Sequence, residues 1–503
     1  MSAPESLIEQ VRAKARQEPE AELFVGRNGH RTWAEFDRRT NRLAQALRRL
    51  GLGKGERAGI LAANCPEWME VFFAVHKAGG VAVPLNERLT SGERQRLLDD
   101  AGVSVLVGEP ELLAATAFSG PTLALGPTYE SRLTGERDEV IDAVTQLDEL
   151  AVIAYTSGTT GTPKGVMWSH RALFWSAQFN PFPAAVAGGR RILVCAPLYA
   201  GGAILMACNA LAIGATTIIE RFTPEGTLRT LAEERIEFTG LVPTMIALLT
   251  DAAPLGWRAP CLRRIYYGAG TMSAQLFTRA RQLFGCEFQQ CYGMTETCIA
   301  GTRLEPAEHS PDALGRLASA GKPMPEVELK VVDQDGAELP SGSAGEVVIR
   351  SPGNMLGYWR RPEQNRDAFR DGWHRTRDIG WLDADGYLYL VDRKDDMVKS
   401  GGLNVSPAEV EEILTAHPAV AEAAVIGLPD ERWGERVAAI VRTRSGEALT
   451  EQELTAFCRA QLADYKTPRT VIFTDMLLPR TGLGKLSRRI LRTQYGSRTP
   501  GRE

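Results

Sequence analysis

The chain has 503 residues, 44% of them hydrophobic, which is enough for two or three domains with large cores. A formal charge of −4 gives no electrostatic case for nucleic acid or an anionic membrane, and eight cysteines without a CxxC pair, among six scattered histidines, argue against a zinc site or a disulfide framework. Met1 to Glu22 is polar and charged, so no signal peptide is expected, and the longest apolar stretch, Ala203 to Ile219, is broken by Asn209 and Gly214; the expected location is the cytoplasm, without membrane insertion.

Strand-like and helix-like segments alternate from the start. Thr32 to Leu50 carries Phe36, Leu43 and Leu47 at helical spacing and stops at Gly51. Ala58 to Ala62 reads as a buried strand, Pro66 to Lys77 as a helix, and Val81 to Pro84 as a strand. The apolar run Leu150 to Ala154 then empties into Tyr155-Thr-Ser-Gly-Thr-Thr-Gly-Thr-Pro-Lys-Gly165. Three glycines, five Ser or Thr hydroxyls and a lysine after a strand make a candidate phosphate cradle, because glycine lets the backbone approach an anion while amides and hydroxyls donate to it. This is not the common P-loop, since Gly161 lies three positions before Lys164 and Gly165 follows it. Further strands are expected at Ile192 to Cys195, Ala215 to Ile219, Phe238 to Val242 and Arg264 to Tyr267. The βαβ rhythm predicts doubly wound, largely parallel sheets, with ligands beyond the C-terminal strand ends.

Around residue 325 the pattern changes to strands and turns (Asp335-Gly336, Ser341-Gly342, Asp385-Gly386), predicting a β-rich subdomain over about 325–392. A charged junction, Asp392 to Asp396, leads into an α+β unit. Its first helix is signed by Ser406 as N-cap, Pro407 at the first position and Glu409 completing a capping box.

The ordered set Tyr155 to Gly165, Tyr292-Gly-Met-Thr-Glu296, Thr376-Arg-Asp378, Asp392-Arg393, Ser400-Gly-Gly-Leu-Asn404 and Pro479-Arg-Thr-Gly-Leu-Gly-Lys485 resembles the adenylate-forming superfamily of acyl-CoA synthetases, carrier-protein adenylation domains and luciferases. The resemblance covers nearly the whole chain and is nearest in pattern to aryl- or acyl-CoA ligases. It implies an α/β fold: a large N-terminal domain, 1–392, of two doubly wound sheets plus the β-rich subdomain, and a small mobile α+β C-terminal domain, 396–503, swinging on a hinge at about 393–396.

The resemblance implies a role for each motif. Thr156, Ser157, Gly158, Thr159, Thr160 and Lys164 would hold the β- and γ-phosphates of ATP. Gly268, Ala269, Gly270, Tyr292 and Gly293 would frame the nucleotide, with Tyr292 against the adenine. Thr295 would donate to the α-phosphate, and Glu296 would coordinate Mg²⁺, a hard cation that takes one or two carboxylates plus phosphate oxygens. Asp378 and Arg393 would receive the ribose, and Asp395 would be the hinge. Lys485 would bridge substrate and phosphate oxygens, lowering the repulsion between two anions as the carboxylate attacks. Gly401 and Gly402 would line the pantetheine tunnel of CoA, with Trp433 near its adenine and Arg469 at its 3′-phosphate.

The chain departs from the family pattern at three places. Pro197-Leu-Tyr-Ala200 stands where Pro-Leu-Phe-His is usual, Cys291 where glycine is usual, and Arg377 replaces the glycine of Thr-Gly-Asp. Cys291 would narrow one wall of the acyl pocket, which by analogy draws on Trp175 or Phe179, Tyr199, Ala200, Gly201 and Gly202, Met245, Tyr266, Tyr267, Gly268 and Ala269, Cys291, and Cys298 to Ala300. These aromatic, small and sulfur-bearing residues fit an aryl or modest aliphatic acid. The expected reaction is ATP-dependent activation of that small-molecule acid as an acyl-adenylate, with pyrophosphate release and transfer to CoA by a monomer or homodimer. Ala200 leaves open an amine or carrier-protein thiol as acceptor, or a small inorganic anion as substrate. A pseudoenzyme is disfavoured by the joint presence of Lys485, Glu296 and Asp378.

Overall fold

The computed structural model describes residues 6–26, 29–141, 146–156, 163–179, 190–270, 272–309, 316–393, 396–400, 403–430, 434–444, 449–462, 464–480 and 486–496. Among these, two compact units separate: 6–156, 163–329 and 349–374 form the first, and 330–348 with 375 onward form the second.

The first unit holds two sheets. In the nine-stranded sheet, Glu22–Gly26, Thr216–Ile219, Arg191–Val194, Phe238–Leu241, Arg264–Gly268 and Glu287–Tyr292 run parallel in that spatial order, and antiparallel strands close both edges. In the seven-stranded sheet, Thr122–Ala124, Val103–Gly108, Arg57–Leu61, Val81–Pro84 and Leu150–Thr156 run parallel, and Lys164–Ser169 turns back antiparallel. The expected doubly wound architecture is therefore present. A single apolar core takes residues from both sheets, including Ile60, Ala82 and Val152 on one and Phe24, Ile192 and Tyr266 on the other.

The helix Pro66–Lys77 shows why the two sheets hold together. Every residue of it is buried, as an all-round apolar helix should be. Its four polar side chains include Glu70, whose carboxylate takes Arg31 at 2.9 Å, Arg39 at 2.7 Å and the Tyr129 hydroxyl at 2.6 Å. Lys77 donates to Asp37, Thr40 and Asn41. Burial without those partners would be strongly destabilising. The neighbouring helix, Trp33–Arg49, starts with a full capping box between Thr32 and Glu35.

The strand Trp373–Leu382 enters the second unit at Arg375 and there pairs antiparallel with Leu388–Arg393, and a further sheet joins Val398–Ser400, Leu403–Val405, Val420–Asp430, Gly434–Thr443 and Thr470–Phe473. This grouping differs from the expected boundary at residue 392. Residues 330–348 and 375–392 fall with the C-terminal residues, and Ser406 Oγ donates to the Val391 carbonyl at 3.2 Å, tying the first C-terminal helix back to the hairpin. Ser406 caps that helix, Pro407–Ala416, as expected. The reciprocal half of the capping box is replaced: the Glu409 carboxylate instead takes Lys466 Nζ at 2.6 and 2.8 Å.

Candidate active site

The parallel strands of the nine-stranded sheet deliver their C-terminal ends to one edge, where Pro197 to Ala200, Val242-Pro243, Gly268 to Gly270 and Tyr292-Gly293 follow their strands. Open α/β sheets bind ligands at this edge. Backbone crowding fixes several of these residues. A Cβ at Gly293 would lie 2.0 Å from the Ile299 carbonyl oxygen, and one at Gly268 would lie 2.4 Å from that of Cys291. Ala269, Cys298 and Ile299 hold left-handed φ values of 64°, 49° and 61°, a conformation non-glycine residues adopt at some cost. Such strain collects at functional sites.

The ends of the glycine-rich loop are set by strand register: Thr156 lies opposite Lys164 in the antiparallel pair Leu150–Thr156 and Lys164–Ser169. Ser157, Gly158, Thr159 and Thr160 lie outside the described residues. Tyr155 is anchored by its hydroxyl, which donates to Asp100 at 2.6 Å, and burial together with that carboxylate pushes its pKa up. Lys164 Nζ stands 5.1 Å from the centre of the Tyr358 ring. The hydroxyl of the same tyrosine donates to Glu296 Oε1 at 2.9 Å. One side chain thus spans the proposed phosphate lysine and the proposed metal carboxylate. The Thr295–Thr297 turn is held from two further directions, by Trp168 Nε1 to the Thr295 carbonyl at 2.7 Å and by the Met355 N–H to the Glu296 carbonyl at 2.8 Å.

Glu296 is suited to Mg²⁺. One carboxylate oxygen is fixed by Tyr358 and the other has no hydrogen bond among the described residues. No group of three or more His, Cys, Asp or Glu among them forms an all-protein cage, so Glu296 would act with phosphate oxygens. Held there, Mg²⁺ would supply charge neutralisation at a triphosphate.

On the acyl side, Ala200 is the N-cap of the helix Gly201–Ala212 and gives that end no side-chain hydrogen bond. The turn before it is held by Asn64, whose Nδ2 donates to the Ala196 and Glu220 carbonyls at 2.8 and 3.0 Å and whose Oδ1 accepts from the Leu198 N–H at 2.8 Å. Gly201 packs under the Trp168 indole. Cys298 is fully buried and Cys291 partly so; burial pushes both thiols up to about 12, which keeps them neutral.

Tyr267 requires a correction. Successive strand residues face opposite ways, and Tyr267 lies in the core on the far face, its hydroxyl 3.0 Å from His309 Nε2. Met245 lies in that same far core. Tyr266 is the residue that shares a face with Gly268 and, across the register, with Cys291.

In the second unit, Asp378 and Arg393 are register partners in the hairpin, so the two residues assigned to ribose are brought together. Asp378 is buried, and its N–H bonds Thr376 Oγ1 at 3.0 Å. Arg377 has φ 61°, which explains why glycine suits that position; here an exposed arginine takes the left-handed turn. Asp395, Gly401, Gly402, Trp433 and Lys485 lie outside the described residues. Among the described residues, Asp396 meets Arg488 and Arg492 at 3.5 and 3.3 Å, and Arg488 also binds Glu411 at 2.7 Å. The Ser487 N–H bonds the Pro479 carbonyl at 2.8 Å, closing the base of the segment that carries Lys485. Arg469 is 3.9 Å from Asp464. No signal in the sequence marked Tyr358, Trp168 or Asn64; Tyr358 was discoverable only as a tyrosine in a turn-rich stretch.

Two α/β sheets with a glycine- and hydroxyl-rich loop, and a Thr-Glu turn at the adjoining strand ends, define an enzyme that activates a substrate with a nucleotide. Comparison with known proteins agrees. Residues 11–359 match the AMP-binding enzyme family and residues 409–485 the AMP-binding enzyme C-terminal domain. A feruloyl-CoA synthase of Amycolatopsis sp is 38% identical over 489 residues, covering 96% of this chain and 98% of that one. The long-chain-fatty-acid–CoA ligase FadD13 of Mycobacterium tuberculosis is 35% identical over 507 residues, covering 97% and 98%. The crystal structure of ATP-bound MatB from Rhodopseudomonas palustris superposes with a TM-score of 0.89 at 29% identity, covering 98% and 99%. The chain belongs to the AMP-binding enzyme family, and within it to the AMP-forming acid–CoA ligases that use ATP and proceed through an acyl-adenylate.

Proposed function

We propose that the acid is an aryl carboxylate or a short to medium aliphatic one. Cys291 in place of glycine, and Tyr266 on the same face, support a narrow, flat slot over a long tunnel. In the first half-reaction a carboxylate oxygen bonds to the α-phosphorus of ATP and the bond to pyrophosphate breaks. Thr156, Lys164 and the residues between them hold the departing phosphates, Thr295 and Glu296 act at the α-phosphate, and Lys485 bridges the two anions. Tyr358 positions Lys164 and Glu296 relative to each other. Asp378 and Arg393 receive the ribose. In the second half-reaction the C-terminal residues swing at 393–396, and the thiol of CoA bonds to the acyl carbon as AMP leaves, with Gly401, Gly402, Trp433 and Arg469 along the CoA path.

The contact of one tyrosine with both Lys164 and Glu296 carries the phosphate and metal assignments, and the shared face of Tyr266 and Cys291 carries the slot. The test is a panel of acids scored by pyrophosphate release, with and without CoA. Aryl acids should drive release and give thioester with CoA. Release confined to long-chain acids would overturn the slot, and AMP without thioester would overturn CoA as acceptor. Ala200 favours the second reading, an amine or carrier-protein thiol, because it offers no polar side chain where a family histidine stands. The same proposal places the enzyme in the cytoplasm as a monomer or homodimer; among the described residues no helix is long and apolar enough to cross a membrane.

A further inference from the structure

Below Cys291, on the same face of the nine-stranded sheet, the register pairs are Gly268 with Cys291, Tyr266 with Gln289 and Arg264 with Glu287. Gln289 is wholly buried. Its Oε1 accepts from Arg264 Nη1 at 3.0 Å. A guanidinium has donors and no acceptor, so this contact determines which end of the carboxamide is oxygen. The Nε2 group is left with no hydrogen-bond partner among the described residues. Arg264 is itself committed, to Glu287 Oε2 through Nε at 2.9 Å, with its guanidinium 5.8 Å from the Tyr266 ring centre. Neither residue is free to rearrange and quench the amide cheaply.

Buried amide donors without partners are uncommon, and one on the binding face of a sheet is available to a ligand acceptor. Gln289 lies two strand residues below Cys291, roughly 7 Å along the sheet. That distance suits one aromatic ring and its substituent, with the carboxylate above, near Tyr292. Met206 packs beside the register pair Gly240 and Tyr266, since a Cβ at Gly240 would lie 2.7 Å from its sulfur.

We propose that Gln289 Nε2 is a specificity-determining donor at the closed end of the acyl slot, and that the substrate is an aromatic acid bearing an oxygen on the ring position farthest from its carboxylate. This rests on the aryl-acid reading above. The experiment compares cinnamate with 4-methoxycinnamate, by kcat/KM for pyrophosphate release, in the wild type, Gln289→Glu and Gln289→Leu. Gln289→Glu keeps the acceptor for Arg264 and removes the donor; Gln289→Leu removes both, and melting curves with ATP identify any variant that has not folded. The wild type should favour the oxygenated acid by roughly 10-fold or more. Gln289→Glu should abolish that preference, mainly through KM for the oxygenated acid. A wild type indifferent to the oxygen, or a folded Gln289→Glu that keeps the preference, overturns the assignment while the aryl reading stands. If aliphatic acids drive release and neither aromatic acid does, the aryl reading has failed and takes this inference with it.

Discussion

Replacing Tyr358 by phenylalanine removes one atom from the site, the oxygen that donates to Glu296 at 2.9 Å, and keeps the ring that faces Lys164 at 5.1 Å. A hydrogen bond to a charged group contributes about 1.5–3 kcal/mol, and the part-exposed setting of both residues argues for the lower end. Tyr358→Phe should therefore weaken productive Mg²⁺·ATP use by roughly 10-fold. The loss should fall on the Mg²⁺ midpoint and on kcat/KM for ATP, leaving KM for the acid unchanged. Tyr358→Leu removes the ring as well, and the ammonium–ring contact adds about 0.5–1 kcal/mol, a further factor of roughly 2 to 5. Pyrophosphate release titrated with Mg²⁺, alongside equilibrium ATP binding with and without Mg²⁺, separates the two effects. ATP binding without Mg²⁺ should be spared in the phenylalanine variant and weakened in the leucine variant. A Tyr358→Phe enzyme with wild-type Mg²⁺ midpoint and kcat/KM, at unchanged melting temperature, would falsify the positioning role.

Three other outcomes are expected. Lys485→Ala should suppress adenylation while sparing thioester formation from supplied acyl-adenylate; equal loss in both half-reactions refutes the assignment. Cys291→Gly should extend activity toward bulkier acids, and an unchanged range in an acid panel removes Cys291 from the pocket wall. The buried pair His76 and His170 has ring centres 5.0 Å apart, and burial lowers their pKa values to about 3 and about 4. Both are neutral when folded and take up protons near pH 6.5 when unfolded, so their stabilisation is complete above that pH and is lost as pH falls toward 4. The melting temperature should fall between pH 6.5 and pH 5, above the range of ordinary carboxylates, and less steeply in His76→Gln; a flat wild-type profile there would contradict neutral burial.

Much of this protein was legible in its sequence because the signals are local. Apolar runs between turn residues located the strands, and the helix Pro66–Lys77 and the strand Val81–Pro84 appear with the bounds expected. Ordered motifs identified the chemistry, since the backbone approach needed around a nucleotide demands glycine and hydroxyl residues at fixed spacing. Tertiary structure decided which residues meet. Tyr266 and Tyr267 are adjacent in the chain and face opposite ways, and sheet packing decides that Tyr267 meets His309 while Tyr266 shares the face of Cys291. Tyr358 lies 194 positions after Lys164 and 62 after Glu296 in the chain, and sheet pairing of Gly357–Tyr358 with Val166–Met167 brings it to both. Gln289 reads in sequence as one polar residue in a strand; that Arg264 takes its oxygen and leaves its nitrogen unmatched is a fact of packing. Sequence determines which groups the chain carries and their local conformation. Long-range pairing determines which of them share a face, and specificity resides there.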